Sequence, residues 1–157
     1  MGDGLDVYEM LQEIPADENG FQNSAYGKTV TEYKAWLKRR TDLARGAGLE
    51  DWQVPETTYW MYIDGRPVGF GKVRHRLTEA LLQAGGHIGY SIRPSHRGKG
   101  QGTLILKLLL EKARGLGLKS VMVDCLASNL LSRKVIEANG GSLEKEQNNR
   151  AYYWVKL

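Results

Sequence analysis

The chain has little of what disulfide-rich, metal-binding or membrane proteins need. Its 157 residues include one cysteine, Cys125, and three scattered histidines, so we expect no internal disulfide and no metal centre. The longest apolar run, residues 104–110, contains a lysine and is much shorter than a membrane span. The acidic N-terminus lacks the basic-then-apolar pattern of a signal peptide. These absences predict a cytoplasmic protein that does not associate with membranes.

The overall composition is that of an ordinary globular protein. Apolar residues make up 41% of the chain and charged residues 25%, which predicts a single domain over residues 1–157. The net charge of +4 is mild, and much of it lies at 38–40, 72–76 and 93–99. A ligand rich in phosphate explains the last cluster, and we predict that the other two are solvated faces. A nucleic-acid-binding domain is an alternative, favoured only by this charge.

Residues 86–115 carry the clearest functional pattern. A short β-type run, 88–92, ends at a proline, and a glycine-rich basic loop then leads into an apolar helix. Glycines in such a loop allow positive φ and a close approach of the backbone to a ligand. The first turn of a helix offers unpaired N–H groups and a partial positive charge. This combination predicts a phosphate-binding loop.

The spacing in this loop excludes two common phosphate-binding motifs. No Gly-Lys-[Ser/Thr] is present in the frame of a nucleotide P-loop, and 98–102 gives alternating glycines where a dinucleotide fingerprint needs G-x-G-x-x-G. The pattern that remains is Arg97-x-x-Gly100-x-Gly102. It resembles the acetyl-CoA pyrophosphate motif, [R/Q]-x-x-G-x-[G/A], of the GNAT superfamily of N-acetyltransferases.

A second resemblance follows downstream. A buried strand at 119–125 precedes Asn129 and a helical segment that ends at Gly140, which is similar to the Asn-x-x-[Ala/Ser] helix of the same family. Ser132, three residues after the asparagine, is a feature of its RimJ/RimL-like subgroup. The resemblance covers about residues 57–156 and implies the fold and the cosubstrate, acetyl-CoA, while leaving the acceptor open.

The implied fold is the GNAT fold of the α/β (α+β) class, a mixed, mostly antiparallel central sheet flanked by helices. The hydrophobic pattern predicts helices at 5–13, 29–46, 104–115 and 129–140, a short helical turn at 78–83, and strands at 57–63, 67–77, 88–92, 119–125, 142–147 and 151–156. Family members commonly begin with a strand, and none is visible before the first helix. We predict that residues 14–28 and 46–56 are lid segments or plain surface loops.

The resemblance implies which residues hold acetyl-CoA. The backbone of the central strand pairs with the pantetheine arm, the glycine-rich loop binds the pyrophosphate, and the asparagine of the second signature contacts the arm near its amide. The implied residues are Ser91, Ile92 and Arg93; Arg97, Gly98, Lys99, Gly100, Gln101, Gly102 and Thr103; and Asn129 with Ser132. No metal is implied.

The catalytic groups are less evident. Many relatives carry a glutamate before Ile-Gly-Tyr on the central strand, and here that position is His87, whose imidazole we predict as the proton relay or as a structural histidine. His75 is the second candidate base. Relatives often carry a tyrosine seven residues after the asparagine, where this chain has Ile136. Ser132 is therefore the candidate donor to the CoA sulfur, with Tyr152 and Tyr153 in reserve. Cys125, on an apolar strand, is predicted to be part of the core.

The family resemblance is compatible with two functional classes. The first is an enzyme, an acetyl-CoA-dependent N-acetyltransferase whose acceptor is a primary amine of a small molecule or peptide and whose mechanism is direct attack. The second is an acyl-CoA-binding module without catalysis, favoured by the loss of the family's usual glutamate and tyrosine. The oligomeric state, including a homodimer, is left open.

Overall fold

The computed structural model describes residues 4–157, which form five α-helices and eight β-strands. The helices are α1 (Leu5–Glu13), α2 (Val30–Ala44), α3 (Glu79–Gln83), α4 (Gln101–Gly115) and α5 (Leu130–Ala138). The strands are β1 (Asp17–Glu18), β2 (Phe21–Gln22), β3 (Glu56–Ile63), β4 (Arg66–Arg74), β5 (Ile88–Ile92), β6 (Ser120–Leu126), β7 (Ser142–Gln147) and β8 (Arg150–Lys156). This mixed α/β arrangement of antiparallel sheets flanked by helices confirms the predicted fold class.

Six of the eight strands form two antiparallel three-stranded sheets, and β1 pairs with β2 in a separate hairpin. The first has the order β3-β4-β5 and the second the order β6-β8-β7. Asp64 and Gly65 form the turn between β3 and β4, and Asn148 and Asn149 form the turn between β7 and β8. All four residues have positive φ. Asn, Asp and Gly tolerate this conformation better than other residues, which is why both turns could be predicted from the sequence.

The two sheets meet at one point and then diverge. The backbone N–H of His87, just before β5, donates to the carbonyl of Met122 in β6 at 2.8 Å. Beyond this contact, β5 pairs only with β4 and β6 only with β8. A wedge-shaped opening therefore separates β5 from β6.

Helix α4 packs on one side of this arrangement and sets how closely the strands approach it. A Cβ at Gly71 would lie 2.4 Å from a Leu109 methyl, and one at Gly69 would lie 3.3 Å from an Ile105 methyl. The glycines thus let α4 lie close against β4, over a core that includes Ile105. On the opposite side, α1 and α2 bury an aromatic cluster: Tyr33, Trp36, Trp60, Phe70 and Phe21.

Three details differ from the sequence-based expectation or refine it. The predicted loop between α1 and α2 contains the small hairpin of β1 and β2, which are too short to leave a periodic pattern. Strand β4 ends at Arg74 rather than at residue 77. The next pair in the β3–β4 register is His75 with Pro55, and the proline accepts the His75 N–H but has no N–H to donate in return. Among residues 4–157, no strand precedes α1, and no helix is long and apolar enough to cross a membrane.

Candidate active site

The wedge between β5 and β6 opens into a cleft of about 610 Å³. One half lies beside the α4 N-terminus and α5, on the face of the sheets that α4 covers. The other half lies under the β1–β2 hairpin, on the opposite face, and we call it the acceptor half. A molecule that fills the cleft would thus contact both faces of the sheet through the gap between the two strands.

The glycine-rich loop at one end of the cleft has the geometry of an anion cradle. Gly98 and Gly100 have φ of 77° and 78°, and a Cβ at either would meet open space. Gly100 caps α4 without a side-chain hydrogen bond, so the cap residue leaves the first amides of the helix open to a ligand. The Gln101 side-chain oxygen is buried and has no hydrogen-bond partner among residues 4–157. The free backbone amides fit a pyrophosphate group, whereas the Gln101 oxygen is an acceptor and would need a donor from another group.

Arg97 joins this cradle to the opposite wall. Its Nε donates to the Ile92 carbonyl at 2.9 Å, which fixes the guanidinium at the end of β5. Both terminal nitrogens pair with the two carboxylate oxygens of Glu18 in the β1–β2 hairpin. This two-point pairing positions the hairpin over the cleft and beside the cradle.

The register of β5 decides which of its amides face the cleft. Arg93 donates its backbone N–H to the Val68 carbonyl at 2.9 Å, so its backbone groups face β4. Because these groups alternate along an antiparallel strand, those of Ser91 also face β4, whereas those of Tyr90 and Ile92 face the cleft. The edge predicted for residues 91–93 is thus formed by the backbone of Tyr90 and Ile92.

Two hydroxyl groups and a thiol lie together where β5, β6 and α5 line the cleft. The Tyr90 and Ser132 hydroxyl oxygens are 3.3 Å apart. Burial raises the pKa of Tyr90 to about 12, which keeps the phenol protonated at neutral pH. Burial also raises the pKa of Cys125, so that its thiol is a poor nucleophile there. Asn129 caps α5 by accepting from the Ser132 N–H and lines the same part of the cleft.

The acceptor half is polar and mostly ion-paired. Asp124 on β6, whose side chain is 1% exposed, pairs with Arg150 and also accepts the Gly85 N–H at 3.0 Å. Lys72 on β4 lies against the Phe21 ring, 5.1 Å from its centroid. Burial lowers the pKa of Lys72 to about 8. The acceptor half therefore combines the buried carboxylate of Asp124 with the largely buried ammonium group of Lys72.

Most residues implied by the family resemblance line this cleft. They are Ser91, Ile92, Arg97, Gly98, Gly100, Gln101, Gly102, Thr103, Asn129 and Ser132. Arg93 and Lys99 are not among the lining residues of the described chain. Arg93 is instead bound to Glu13 of α1 at 2.6 Å, and Lys99 is exposed. The cofactor-binding roles of all twelve remain predictions.

Neither predicted histidine base lines the cleft among residues 4–157. His87 is 6% exposed, and its Nδ1 accepts the Met122 N–H at 2.9 Å. Burial lowers the pKa of His87 to about 4. His75 Nε2 lies 2.8 Å from the Thr57 hydroxyl. This geometry favours structural roles for both residues and gives no support to the predicted proton relay through His87, which stays untested.

The reserve tyrosines are also engaged elsewhere. The Tyr152 hydroxyl donates to the Gln83 carbonyl at 2.6 Å, and the Tyr153 hydroxyl bonds Glu137 and Arg133. Three cleft residues were not singled out from the sequence: Tyr90, Asp124 and Lys72. A lone aspartate in the apolar run at 120–126 is a readable signal of a polar role, whereas Lys72 looked like one charge of a solvated basic face.

Comparisons with known proteins agree with this geometry. A family model described as the acetyltransferase (GNAT) family matches residues 15–140. A search of the curated proteins finds no significant match. Among solved structures, the ribosomal protein α-N-acetyltransferase RimL with coenzyme A has a TM-score of 0.68 and 17% identity, covering 96% of this chain and 86% of that one.

Two further solved structures are similar over nearly the whole chain. The microcin self-immunity acetyltransferase MccE, in complex with acetyl-CoA and AMP, has a TM-score of 0.67 and 13% identity over 98% of this chain and 86% of that one. The GNAT domain of S. lividans PAT has a TM-score of 0.64 and 13% identity over 98% and 84%. At these identities the likeness shows the fold.

The His87 contacts generate a prediction about pH and stability. The folded imidazole titrates at about pH 4 and the unfolded one near 6.5, so the unfolded state binds more protons between these values. The free energy of unfolding should therefore fall as the pH drops from 6.5 towards 4. His87→Ala should remove this contribution and, by leaving a buried N–H without an acceptor, cost about 1–3 kcal/mol at pH 7. Urea unfolding at several pH values measures both effects.

The matched control is His75→Ala, which leaves the His87–Met122 bond in place. It should keep the part of the pH dependence that His87→Ala removes. A His87→Ala protein with the wild-type dependence between pH 4 and 6.5 would show that His87 does not stabilise the fold in its neutral form.

Proposed function

Because the chain belongs to the GNAT family of acetyltransferases, we propose that it transfers the acetyl group of acetyl-CoA to a primary amine of a small molecule or peptide. The observation that carries the proposal is the continuous cleft between β5 and β6, which joins the anion cradle on one face of the sheets to the acceptor half on the other. A long cosubstrate with a phosphate-rich end and a reactive end requires such a continuous path. The acceptor amine would then approach from under the β1–β2 hairpin.

The cradle residues would hold the pyrophosphate, largely through main-chain amides at 98–103. Arg97 would contribute charge from its position beside Glu18. The cleft-facing backbone groups of Tyr90 and Ile92 would pair with the pantetheine arm, in the manner of an added strand. When bound, the cosubstrate supplies the thioester that is cleaved.

The chemistry requires one bond to form and one to break. The amine nitrogen attacks the thioester carbonyl directly, the C–N bond forms, and the C–S bond breaks to release a thiolate that needs a proton. Tyr90 and Ser132 are proposed to supply it, because their hydroxyl groups lie together in the cleft and the phenol stays protonated at neutral pH. The acceptor ammonium loses one proton to water before attack. The second proton, which the nitrogen loses as it becomes an amide, returns through water to the hydroxyl group that protonated the thiolate.

The direct test of function is thiol release from acetyl-CoA in the presence of a panel of amines. Release that depends on an amine supports the proposal. Binding of CoA without release for any amine would contradict it and favour the binding module that lacks catalysis.

A substitution in the cradle tests where the cosubstrate binds. Gly102→Glu places a carboxylate at the first turn of α4, where it repels phosphate. Acetyl-CoA should raise the free energy of unfolding of the wild type by about 2.7 kcal/mol at a hundredfold excess over Kd, and this gain should vanish in the variant. Thermal unfolding with and without acetyl-CoA measures it.

Gly102→Ala is the control for bulk, because a Cβ at Gly102 makes only an ordinary contact of 3.4 Å with Val135. It should keep the stabilisation. Equal stabilisation of Gly102→Glu and wild type would place the phosphate groups away from the cradle.

The hydroxyl pair gives a kinetic prediction. A positioned proton donor is typically worth about 10²–10⁴ in rate, so Tyr90→Phe combined with Ser132→Ala should lower kcat at least tenfold. The KM for acetyl-CoA should change little, because no phosphate contact is lost. Steady-state thiol release measures both constants.

Tyr59→Phe on β3 is the control, since it removes a half-buried phenol that does not line the described part of the cleft. It should retain the wild-type kcat. Full activity of the double variant would exclude both hydroxyls as the proton source.

A further inference from the structure

Lys72 is a buried cation in the wall of the acceptor half. It lies on the same face of β4 as Phe70, under the β1–β2 hairpin, and is 9% exposed. Its Nζ lies 5.1 Å from the Phe21 ring centroid and 6.0 Å from that of Phe70, and it donates to the Gln22 carbonyl at 2.9 Å. An ammonium group has three donors, and the hairpin carbonyl occupies one of them.

The acids around Lys72 are ion-paired with arginines, and Glu56 attracts its charge only from beyond ion-pair distance. In the acceptor half, Arg150 pairs with Asp124 and Arg97 with Glu18. Glu56 on β3 is paired with two arginines: its Oε1 lies 3.2 Å from Arg40 Nη1, and its Oε2 lies 3.1 Å from Arg74 Nε. No aspartate or glutamate of residues 4–157 forms an ion pair with Lys72.

An unpaired buried ammonium is costly, and the cost falls when an anion binds beside it. Burial lowers the pKa of Lys72 to about 8, so the group is still mainly charged at pH 7. A charged group of this kind binds an anion better than it acts as a base at neutral pH.

The strand position opposite Lys72 is a glycine, which makes room for the Phe21 ring of the hairpin. Gly89 is the partner of Lys72 in the β4–β5 register, and a Cβ there would lie 3.2 Å from the Phe21 ring. Lys72 and Gly89 both line the cleft. Gly89 precedes Tyr90, whose cleft-facing backbone would meet the pantetheine arm, so an anion at Lys72 would be near the reacting amine.

From this arrangement we propose that Lys72 recognises an anionic group on the acceptor, which makes the substrate a compact amine that also carries a carboxylate or a phosphate. The proposal rests on the acetyltransferase function proposed above. It assigns the hairpin and β4 a role in selecting the acceptor.

Matched acceptor pairs test the proposal on the wild-type protein. Thiol release from acetyl-CoA is measured with amino acids and their amides, and with O-phosphoethanolamine and ethanolamine. The anionic member should have a kcat/KM at least tenfold higher in one of these two series, and the series that shows it tells carboxylate from phosphate. Equal or better turnover of the neutral members in both series overturns the proposal.

Substitutions of the lysine separate recognition from a structural role. Lys72→Met should lower kcat/KM for the anionic acceptor at least tenfold while the neutral partner changes little, so the preference is lost. Lys72→Arg should keep the preference. Lys107→Met on the exposed face of α4 is the control and should behave as wild type. An equal loss for both members of a pair shows that Lys72 only anchors the hairpin through Gln22, and overturns the proposal.

The acetyltransferase function and the anion site at Lys72 can be tested separately. Absence of thiol release with every amine contradicts the acetyltransferase function. Calorimetric titration of the same acceptor pairs into the protein saturated with CoA then still tests Lys72, because a preference for the anionic member that Lys72→Met removes supports the site. No such preference counts against it, whatever the chemistry.

Discussion

The reciprocal hydrogen bonds between His87 and Met122 determine where the sheet opens. The His87 N–H donates to the Met122 carbonyl, and the Met122 N–H donates back to the His87 imidazole. The imidazole accepts the Met122 N–H in place of a backbone carbonyl, and beyond this contact β5 pairs with β4 and β6 with β8. Both strands then leave their inner edges free, and the cleft lies between them. The geometry therefore favours a structural role for the neutral histidine at the apex of the cleft, and its role as a proton relay stays a prediction.

Ion pairs across long sequence separations fix the walls of that cleft. Glu13 at the end of α1 binds Arg93 and accepts the Ser95 N–H at 2.6 Å, which joins the first helix to the chain leading into the cradle. Glu18 binds Arg97 one step further along. These contacts set the hairpin over the cleft, so the cradle and the acceptor half are built from the same network. A phosphate group in the cradle would contact Arg97, which is already paired with Glu18 of the hairpin.

The sequence predicted the cradle, the α4 helix, both hairpin turns and the Asn129 helix, because each depends on local signals such as glycine spacing, capping and turn residues. It could not predict the role of His87, since a histidine one residue before a strand can face either a cavity or a backbone amide. Only the register of β5 against β4 decides which amides are free. Lys72 was misread as part of a solvated face for a similar reason: the hairpin that buries it is separated from it by about fifty residues.

Residue-resolved amide hydrogen exchange tests the free edge of β5 most directly. In the protein alone, the amides of Ser91 and Arg93 should exchange slowly because they face β4, and those of Tyr90 and Ile92 should exchange faster. Binding of CoA should slow Tyr90 and Ile92, together with the first amides of α4, and leave the β7–β8 hairpin unchanged. Slow exchange at all four β5 amides before CoA is added, or no change at Tyr90 and Ile92 after it, would contradict the account.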